Sequence, residues 1–175
     1  NNSRGNFRFE RAFSAGMNVT GIHSYDMDLD GFQDIVIKSD ERITIYYGDA
    51  AGSYLRKTDV PAGGSIYKTA IGDYNRDGFI DIVTLSKTGG RVSVYFQKEG
   101  DEFHAPVMLF ANENITDLNN YYSRFVDGIA LLDSSGYIHT ITRGGSPADQ
   151  AELVTGGKPT LLASFDQGHN GIKDL

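Results

Sequence analysis

Two short segments of the chain carry aspartates at alternate positions, a spacing that can wrap oxygen ligands around one cation. The first runs from Asp26 to Asp34 and the second from Asp73 to Asp81. Both follow the pattern D-x-(D/N)-x-D-G-x-x-D, and both continue with Ile-Val. Calcium takes about six to eight oxygen ligands, and a glycine at the sixth position permits the sharp turn that brings them together. The residues therefore predict two calcium loops.

The predicted ligands are the side-chain oxygens of loop positions 1, 3, 5 and 9 and the main-chain carbonyl of position 7. In the first loop these residues are Asp26, Asp28, Asp30, Asp34 and Phe32. In the second loop they are Asp73, Asn75, Asp77, Asp81 and Phe79. A weaker third copy, whose third position is glycine, keeps Asp166, Asn170 and Asp174. The formal charge of the side-chain ligands is −4, −3 and −2 in the three loops, which predicts the order of calcium affinity.

Two other structures begin with the same residues. An EF-hand has a glutamate at its twelfth position and helical flanks. Here the twelfth positions are Ile37 and Thr84, and the flanks are rich in strand-forming residues. Solvated Asp-Gly turns are the second alternative, because both residues favour turns. Two copies in the same register, 47 residues apart, favour calcium loops over both alternatives.

The segments around the loops repeat as well. An apolar strand follows each loop, and then come a polar turn and an alternating strand, such as Arg42–Tyr47. Two weaker strands precede each loop, so a unit of about 47 residues holds four strands. Such units are typical of β-propeller blades. We therefore predict one all-β propeller region over 1–175, part of a larger propeller, with repeats at about 5–50, 51–98, 99–145 and, incomplete, 146–175.

The third repeat keeps the flanking pattern but not the acidic loop. Its corresponding segment runs from Asp117 to Asp127 and lacks the alternating aspartates and the glycine. We predict no metal ligand there.

Composition excludes several classes of function. The net charge of −7 argues against a nucleic-acid partner, which needs a basic face. No apolar stretch reaches the roughly 18 residues of a membrane helix, so we expect no membrane insertion. The absence of cysteine excludes disulfides, zinc–thiolate sites and a cysteine nucleophile. Neither a G-x-S-x-G nor an H-E-x-x-H motif is present, and we expect no enzymatic activity.

The loops resemble those of the FG-GAP/VCBS repeats found in integrin α-subunit propellers and many bacterial surface proteins. The segment from Gly72 to Val83 shows the family's pattern G-D-x-(D/N)-x-D-G-x-x-D, and Asp26–Val36 shows it from the first aspartate onward. Phe103–Val107 is similar to the F-x-x-P-V segment of these repeats. The resemblance implies a propeller of about seven blades, calcium in loops on one face, and an extracellular or cell-surface setting, with the periplasm as another compartment.

Three functions fit these observations. The first is a calcium-stabilised module for adhesion or recognition that binds a protein or glycan ligand on one propeller face. The second is a part, catalytic or not, of a polysaccharide-acting enzyme, which would need acidic or histidine residues outside the calcium loops. The third is a structural subunit that associates with copies of itself, because exposed edge strands invite pairing.

Overall fold

Strand-forming residues and tight turns alternate along this chain, and the computed structural model shows them as antiparallel strands. The structure describes residues 12–16, 18–122, 127–142 and 153–154. Within these ranges there is no helix, and hence none with the length and apolar character needed to cross a membrane. The strands are β1 Val19–Tyr25, β2 Asp34–Ser39, β3 Arg42–Tyr47, β4 Arg56–Pro61, β5 Ile66–Gly72, β6 Asp81–Ser86, β7 Arg91–Tyr95, β8 Gln97–Lys98, β9 Glu102–Phe103, β10 Val107–Ala111, β11 Ile115–Tyr122, β12 Asp127–Asp133, β13 Tyr137–Thr142 and β14 Leu153–Val154.

The strands form three four-stranded sheets of the same design. Their orders are β1-β2-β3-β4, β5-β6-β7-β10 and β11-β12-β13-β14, and β8 pairs with β9 in a separate hairpin. All pairings are antiparallel. The prediction of an all-β fold built from units of four short strands is confirmed.

The sheets group the strands differently from the sequence repeats predicted at about 5–50, 51–98 and 99–145. Strand β4 lies beyond residue 50 but pairs with β3 along its whole length, from Arg42↔Pro61 to Tyr47↔Arg56. Strand β10 likewise pairs with β7, and β14 pairs with β13. The first and second sheets therefore each have one strand before the acidic loop and three after it. A repeat shows only the spacing of strands, whereas hydrogen bonding decides which sheet a weak outer strand joins. The predicted fourth repeat, 146–175, lies outside the described residues except for β14.

The second strand of the middle sheet, β6, is apolar on both faces because a neighbouring sheet covers each face. In β6, Ile82 faces the first sheet, whereas Val83 and Leu85 face the third. Successive side chains of a strand point to opposite faces, so both sets are buried. This explains why β6 reads as a continuous apolar run while the third strands alternate.

Two hydrophobic clusters hold the three sheets together. The cluster between the first and second sheets contains Met27, Val36, Ile43, Ile45, Tyr47, Val60, Ile66, Ile71, Ile80, Ile82 and Tyr95. The cluster between the second and third sheets contains Ala70, Val83, Leu85, Val92, Val94, Ile115, Leu118, Ile129 and Leu131. Strand β5 contacts β11, the first strand of the third sheet, and β2, the second strand of the first sheet. Tyr47 is almost fully buried in the first cluster.

The stacked core predicts a contrast between two leucines. Leu85 is fully buried between the second and third sheets, whereas Leu55 is 91% exposed. We expect Leu85→Ala to lower the free energy of unfolding by about 2–5 kcal/mol, since it removes packed methyl groups and leaves a cavity. Leu55→Ala should change it by less than about 0.5 kcal/mol. Urea denaturation of the two variants measures the difference, and equal losses would contradict the stacked arrangement.

Candidate metal centre

Each acidic loop connects the first two strands of a sheet. The register of β1 with β2 ends at Tyr25↔Asp34, and that of β5 with β6 ends at Gly72↔Asp81. The intervening segments, 26–33 and 73–80, both contain 8 residues. The two loops therefore emerge at the same end of adjacent sheets and start from the same position in the hydrogen-bond ladder.

In the first loop, carboxylates accept hydrogen bonds from main-chain amides and curl the chain. Asp26 Oδ1 accepts from the amide of Asp30 at 3.1 Å, and Asp26 Oδ2 accepts from the amide of Gly31 at 2.9 Å. Asp30 Oδ1 accepts from the amide of Phe32 at 2.8 Å. Leu29 and Gly31 have φ angles of 59° and 90°, in the left-handed region. The glycine at the sixth position thus has the conformational role that the pattern predicts.

Asp34, the ninth residue of the loop, ties three segments together. It is fully buried, and its two oxygens accept the amides of Met27 and Gly48, each at 2.7 Å. A Cβ atom at residue 48 would lie 2.5 Å from the Gln33 carbonyl oxygen, so this close approach requires glycine. Burial raises the pKa of Asp34 above its ordinary value; the Gly48 and Met27 amides oppose the rise, and the charges of Asp28 and Asp26 add to it.

Three carboxylates of the first loop converge. One oxygen from each of Asp26, Asp28 and Asp34 lies within 4.8 Å of the others. Oxygens bound to one calcium ion at about 2.3–2.6 Å must lie within about 5 Å of each other, so this spacing fits a shared calcium ion. The donors are all hard oxygens, which also suits calcium. Asp30 is not in this cluster, and the predicted roles of Asp30 and of the Phe32 carbonyl stay predictions.

The second loop repeats this geometry bond for bond. Asp73 Oδ1 accepts the amide of Asp77 at 3.2 Å, and Asp73 Oδ2 accepts the amide of Gly78 at 3.0 Å. Asp77 Oδ1 accepts the amide of Phe79 at 2.9 Å. Arg76 and Gly78 have φ angles of 60° and 89°, almost the values of the first loop. The sequence repeat is therefore a structural repeat at the level of single hydrogen bonds.

Asn75 is the main difference between the loops. Its Oδ1 accepts the Asp77 amide at 3.1 Å, and its Nδ2 donates to Asp77 Oδ2 at 2.7 Å. The positions equivalent to the convergent cluster hold Asp73, Asn75 and Asp81, which supply two carboxylates and one amide oxygen. The amide is a weaker ligand than a carboxylate, but it also removes one charge repulsion from the loop.

Asp81 occupies the place of Asp34. Its oxygens accept the amides of Tyr74 and Gln97, both at 3.0 Å, and it is fully buried. Burial raises the pKa of Asp81 to about 6, with the Gln97 and Tyr74 amides opposing the rise and the charges of Asp77 and Asp73 adding to it. Gln97, which stands where the first sheet has Gly48, also accepts the Ile80 amide at 3.0 Å through its side-chain oxygen.

The third sheet lacks room for such a loop. Its register ends at Tyr122↔Asp127, which leaves 4 residues, 123–126, where the other sheets have 8. Asp117, the start of the corresponding segment in the sequence, lies within β11, is buried, and pairs with Lys68 Nζ at 3.2 Å. Asp117 therefore joins the second and third sheets from within a strand and not from a loop. The weaker third copy, with Asp166, Asn170 and Asp174, lies outside the described residues.

Arg56 is a residue of the site that the sequence pattern does not indicate. Its guanidinium pairs with Asp28 of the first loop and with Asp101 of the β8–β9 turn, and it stacks 3.9 Å from the ring centre of Tyr47. The pair reduces the effective charge of the first loop. The difference in charge between the two loops is therefore smaller than the count of carboxylates suggests.

Comparison with known proteins supports the assignment of the repeat. The family model described as an FG-GAP-like repeat matches residues 26–84, which include both acidic loops. The resemblance stated from the sequence is confirmed. No curated protein gives a significant match to the chain.

A solved structure supports the fold. The crystal structure of BBS1N in complex with ARL6DN, soaked with lead, matches with a TM-score of 0.56 and 14% sequence identity. The match covers 85% of this chain and 48% of the other, so this chain spans about half the length of the structure it resembles. The matched chain contains a β-propeller, and the predicted propeller-type fold is confirmed. At this identity the likeness concerns the fold alone.

The buried aspartate at the ninth loop position should stabilise the fold even without metal. We expect Asp34→Ala to lower the free energy of unfolding by about 2–5 kcal/mol in EDTA, because two buried amides lose their acceptor. Asp30→Ala, which removes one exposed bond, is the matched control and should cost less than about 1 kcal/mol. Chemical denaturation in EDTA measures both, and equal effects would contradict the role given to Asp34.

The raised pKa of Asp81 predicts how stability depends on pH in EDTA. Because the folded-state pKa is about 6 and the ordinary value is 3.8, the folded state holds this proton more tightly. This contribution is fully present below pH 4 and is lost as the pH rises through 6, with a span of at most about 3 kcal/mol. Denaturation between pH 4 and 7 should show the loss in the wild type, and Asp81→Asn should flatten it. Equal pH profiles would refute this assignment.

Proposed function

We propose, from the FG-GAP-like repeat at residues 26–84 and the propeller-type fold, that this chain is a non-catalytic, calcium-stabilised recognition module of a secreted or cell-surface protein. The observation that carries the proposal is the convergence of Asp26, Asp28 and Asp34 oxygens within 4.8 Å. The second loop, with the same turn and hydrogen bonds, supports a second ion. FG-GAP repeats typically occur in extracellular or cell-surface proteins, where calcium is abundant.

Calcium has a structural role in this proposal. When bound, the ion would supply positive charge that neutralises the clustered carboxylates. Asp26, Asp28 and Asp34 would hold it in the first loop, and Asp73, Asn75 and Asp81 in the second, with the other predicted ligands completing each site. Because Asp34 and Asp81 are anchored in the sheets through buried amides, an ion on them couples loop order to sheet stability.

Exposed apolar side chains on the same loops support a recognition role. Leu29 and Phe32 of the first loop and Phe79 of the second loop are 58%, 41% and 39% exposed. A groove of about 210 Å³ separates the two loops, with Leu29 and Phe79 among its walls. Aromatic rings stack on sugars and on protein side chains, and exposed apolar groups beside a groove are typical of interaction sites. We therefore place the protein or glycan ligand at the calcium-loop end of the sheets.

Calcium removal tests the proposal. We expect calorimetric titration of the EDTA-treated, dialysed chain to show at least two binding events. Saturating calcium should raise the melting temperature by about 5–10 °C, as binding to the folded state alone requires. Magnesium at the same concentration should raise it less, because it demands a smaller and more regular oxygen cage. A melting temperature that calcium leaves unchanged would overturn the proposal.

A variant of the second loop tests which calcium-binding event belongs to that loop. Asn75→Asp adds a fourth carboxylate to the second loop and should raise its calcium affinity several-fold, while lowering stability in EDTA through charge repulsion. Asp49→Asn is the control, since Asp49 is exposed, lies outside both loops and accepts only turn amides, which an asparagine oxygen can also accept. Identical titrations of Asn75→Asp and the wild type would exclude the second loop as a calcium site.

A further inference from the structure

A basic cavity lies between the first and second sheets of this acidic chain. It has a volume of about 360 Å³, and its walls include Lys38, Lys68 and Lys87, together with His23 and the hydroxyl-bearing Thr20. The cavity is formed by residues of β1, β2 and β5 and by the turn after β6. Its lysines concentrate positive charge in a chain whose net charge is −7. The residues of the two acidic loops are not among its walls.

Lys38 is the central cation of this cavity. The residue is buried, with an exposure of 7%. Nζ donates to the carbonyl oxygen of Tyr67 at 2.8 Å and lies 3.5 Å from that of Ile66. A Cβ atom at residue 21 would lie 2.9 Å from Cε of Lys38, so Gly21 leaves the space through which the stem passes. Among the described residues, no carboxylate lies within ion-pair distance of this ammonium group.

The surrounding groups add positive charge instead of compensating for it. Burial and the charges of Lys87 and Lys68 lower the pKa of Lys38, while Asp40 opposes this effect from beyond ion-pair distance. The ammonium of Lys87 has no carboxylate partner among the described residues, whereas Lys68 pairs with Asp117. With Asp117 paired to Lys68 and Asp40 beyond ion-pair distance, the three ammonium groups leave a net positive charge at the cavity.

His23 completes the wall as a neutral hydrogen-bonding group. Burial and the charges of Lys38 and Lys68 lower its pKa, so the imidazole is uncharged at neutral pH. Its Nε2 lies 2.8 Å from the hydroxyl oxygen of Thr69, and this bond joins β1 to β5 across the wall of the cavity. The charge of the cavity is therefore set by its lysines.

We propose that this cavity binds the sulfate or phosphate group of an anionic ligand, with the ammonium groups of Lys38 and Lys87 as its principal partners. An oxyanion would compensate the net positive charge and would relieve both the repulsion among the lysines and the cost of burying Lys38. The cavity volume is many times the roughly 30 Å³ that one water molecule occupies in the liquid. There is therefore room for the rest of the molecule to which the oxyanion is attached. This inference deepens the proposed recognition function, and rests on it, by naming a ligand chemistry.

Anion titration of the full chain tests the cavity. We expect sodium sulfate and sodium phosphate, each titrated at constant ionic strength and pH 7.5, to bind saturably at one site, and sodium acetate to bind several-fold more weakly. Lys87→Met should weaken sulfate binding about 10-fold or more, because one charge-assisted contact is lost. Lys57→Met is the control: Lys57 is an exposed lysine 3.7 Å from Asp59, it lies outside the cavity, and its loss should leave affinity unchanged.

The results of these titrations either support or overturn the proposal. Lys87 is exposed, so its replacement should leave the fold intact even where Lys38→Met unfolds the chain. Tighter binding of sulfate indicates a sulfate ester as the source, and tighter binding of phosphate indicates a phosphate ester; both support the proposal. Stabilisation that does not saturate, and that is equal in wild type and Lys87→Met, is the general effect of excluded salts and overturns it. Titrations in EDTA and in calcium keep the two proposals apart, because sulfate binding without a calcium response would defeat only the calcium proposal.

Discussion

The arrangement of both acidic loops depends on one buried carboxylate at the head of each central strand. Asp34 and Asp81 begin β2 and β6, and each accepts two main-chain amides, one from the loop and one from the end of the third strand. A buried charge is costly unless it is fully hydrogen-bonded, and here both oxygens of each residue have a donor. The loop, the central strand and the next strand end are thereby held as one unit.

This constraint also concentrates negative charge in the loops, around the buried aspartates. The buried aspartate cannot move away from the loop, and Asp26 and Asp28 converge on it from the solvent side. The rise in the pKa of Asp81 to about 6 reflects the same conflict between burial and charge. In the first sheet, Arg56 compensates part of this negative charge, because it pairs with Asp28 and packs on Tyr47. In the proposed function, a calcium ion held by Asp26, Asp28 and Asp34 would compensate the remaining charge.

Packing between sheets creates the second polar feature of the molecule. The central strand β6 is buried on both faces, because apolar side chains of the first and third sheets pack against it. Between the first and second sheets, Lys38 of β2, Lys68 of β5 and Lys87 of the turn after β6 line one cavity. The acidic loops and the basic cavity are thus separate features of the same two sheets. The loops connect the first and second strands of each sheet, whereas the cavity lies between the sheets.

The sequence by itself determined the repeat, the strand content and the acidic loops, because these depend on local patterns: alternating apolar residues, and aspartates spaced around a glycine. It also predicted that the third repeat lacks the acidic loop. Tertiary structure decided which sheet β4 and β10 join, since edge strands pair through main-chain groups that any residue supplies. It also decided the contacts of Asp34 with Gly48 and of Asp28 with Arg56, and the assembly of the lysine cavity. These contacts join residues far apart in the chain, and no local spacing indicates which distant groups will meet.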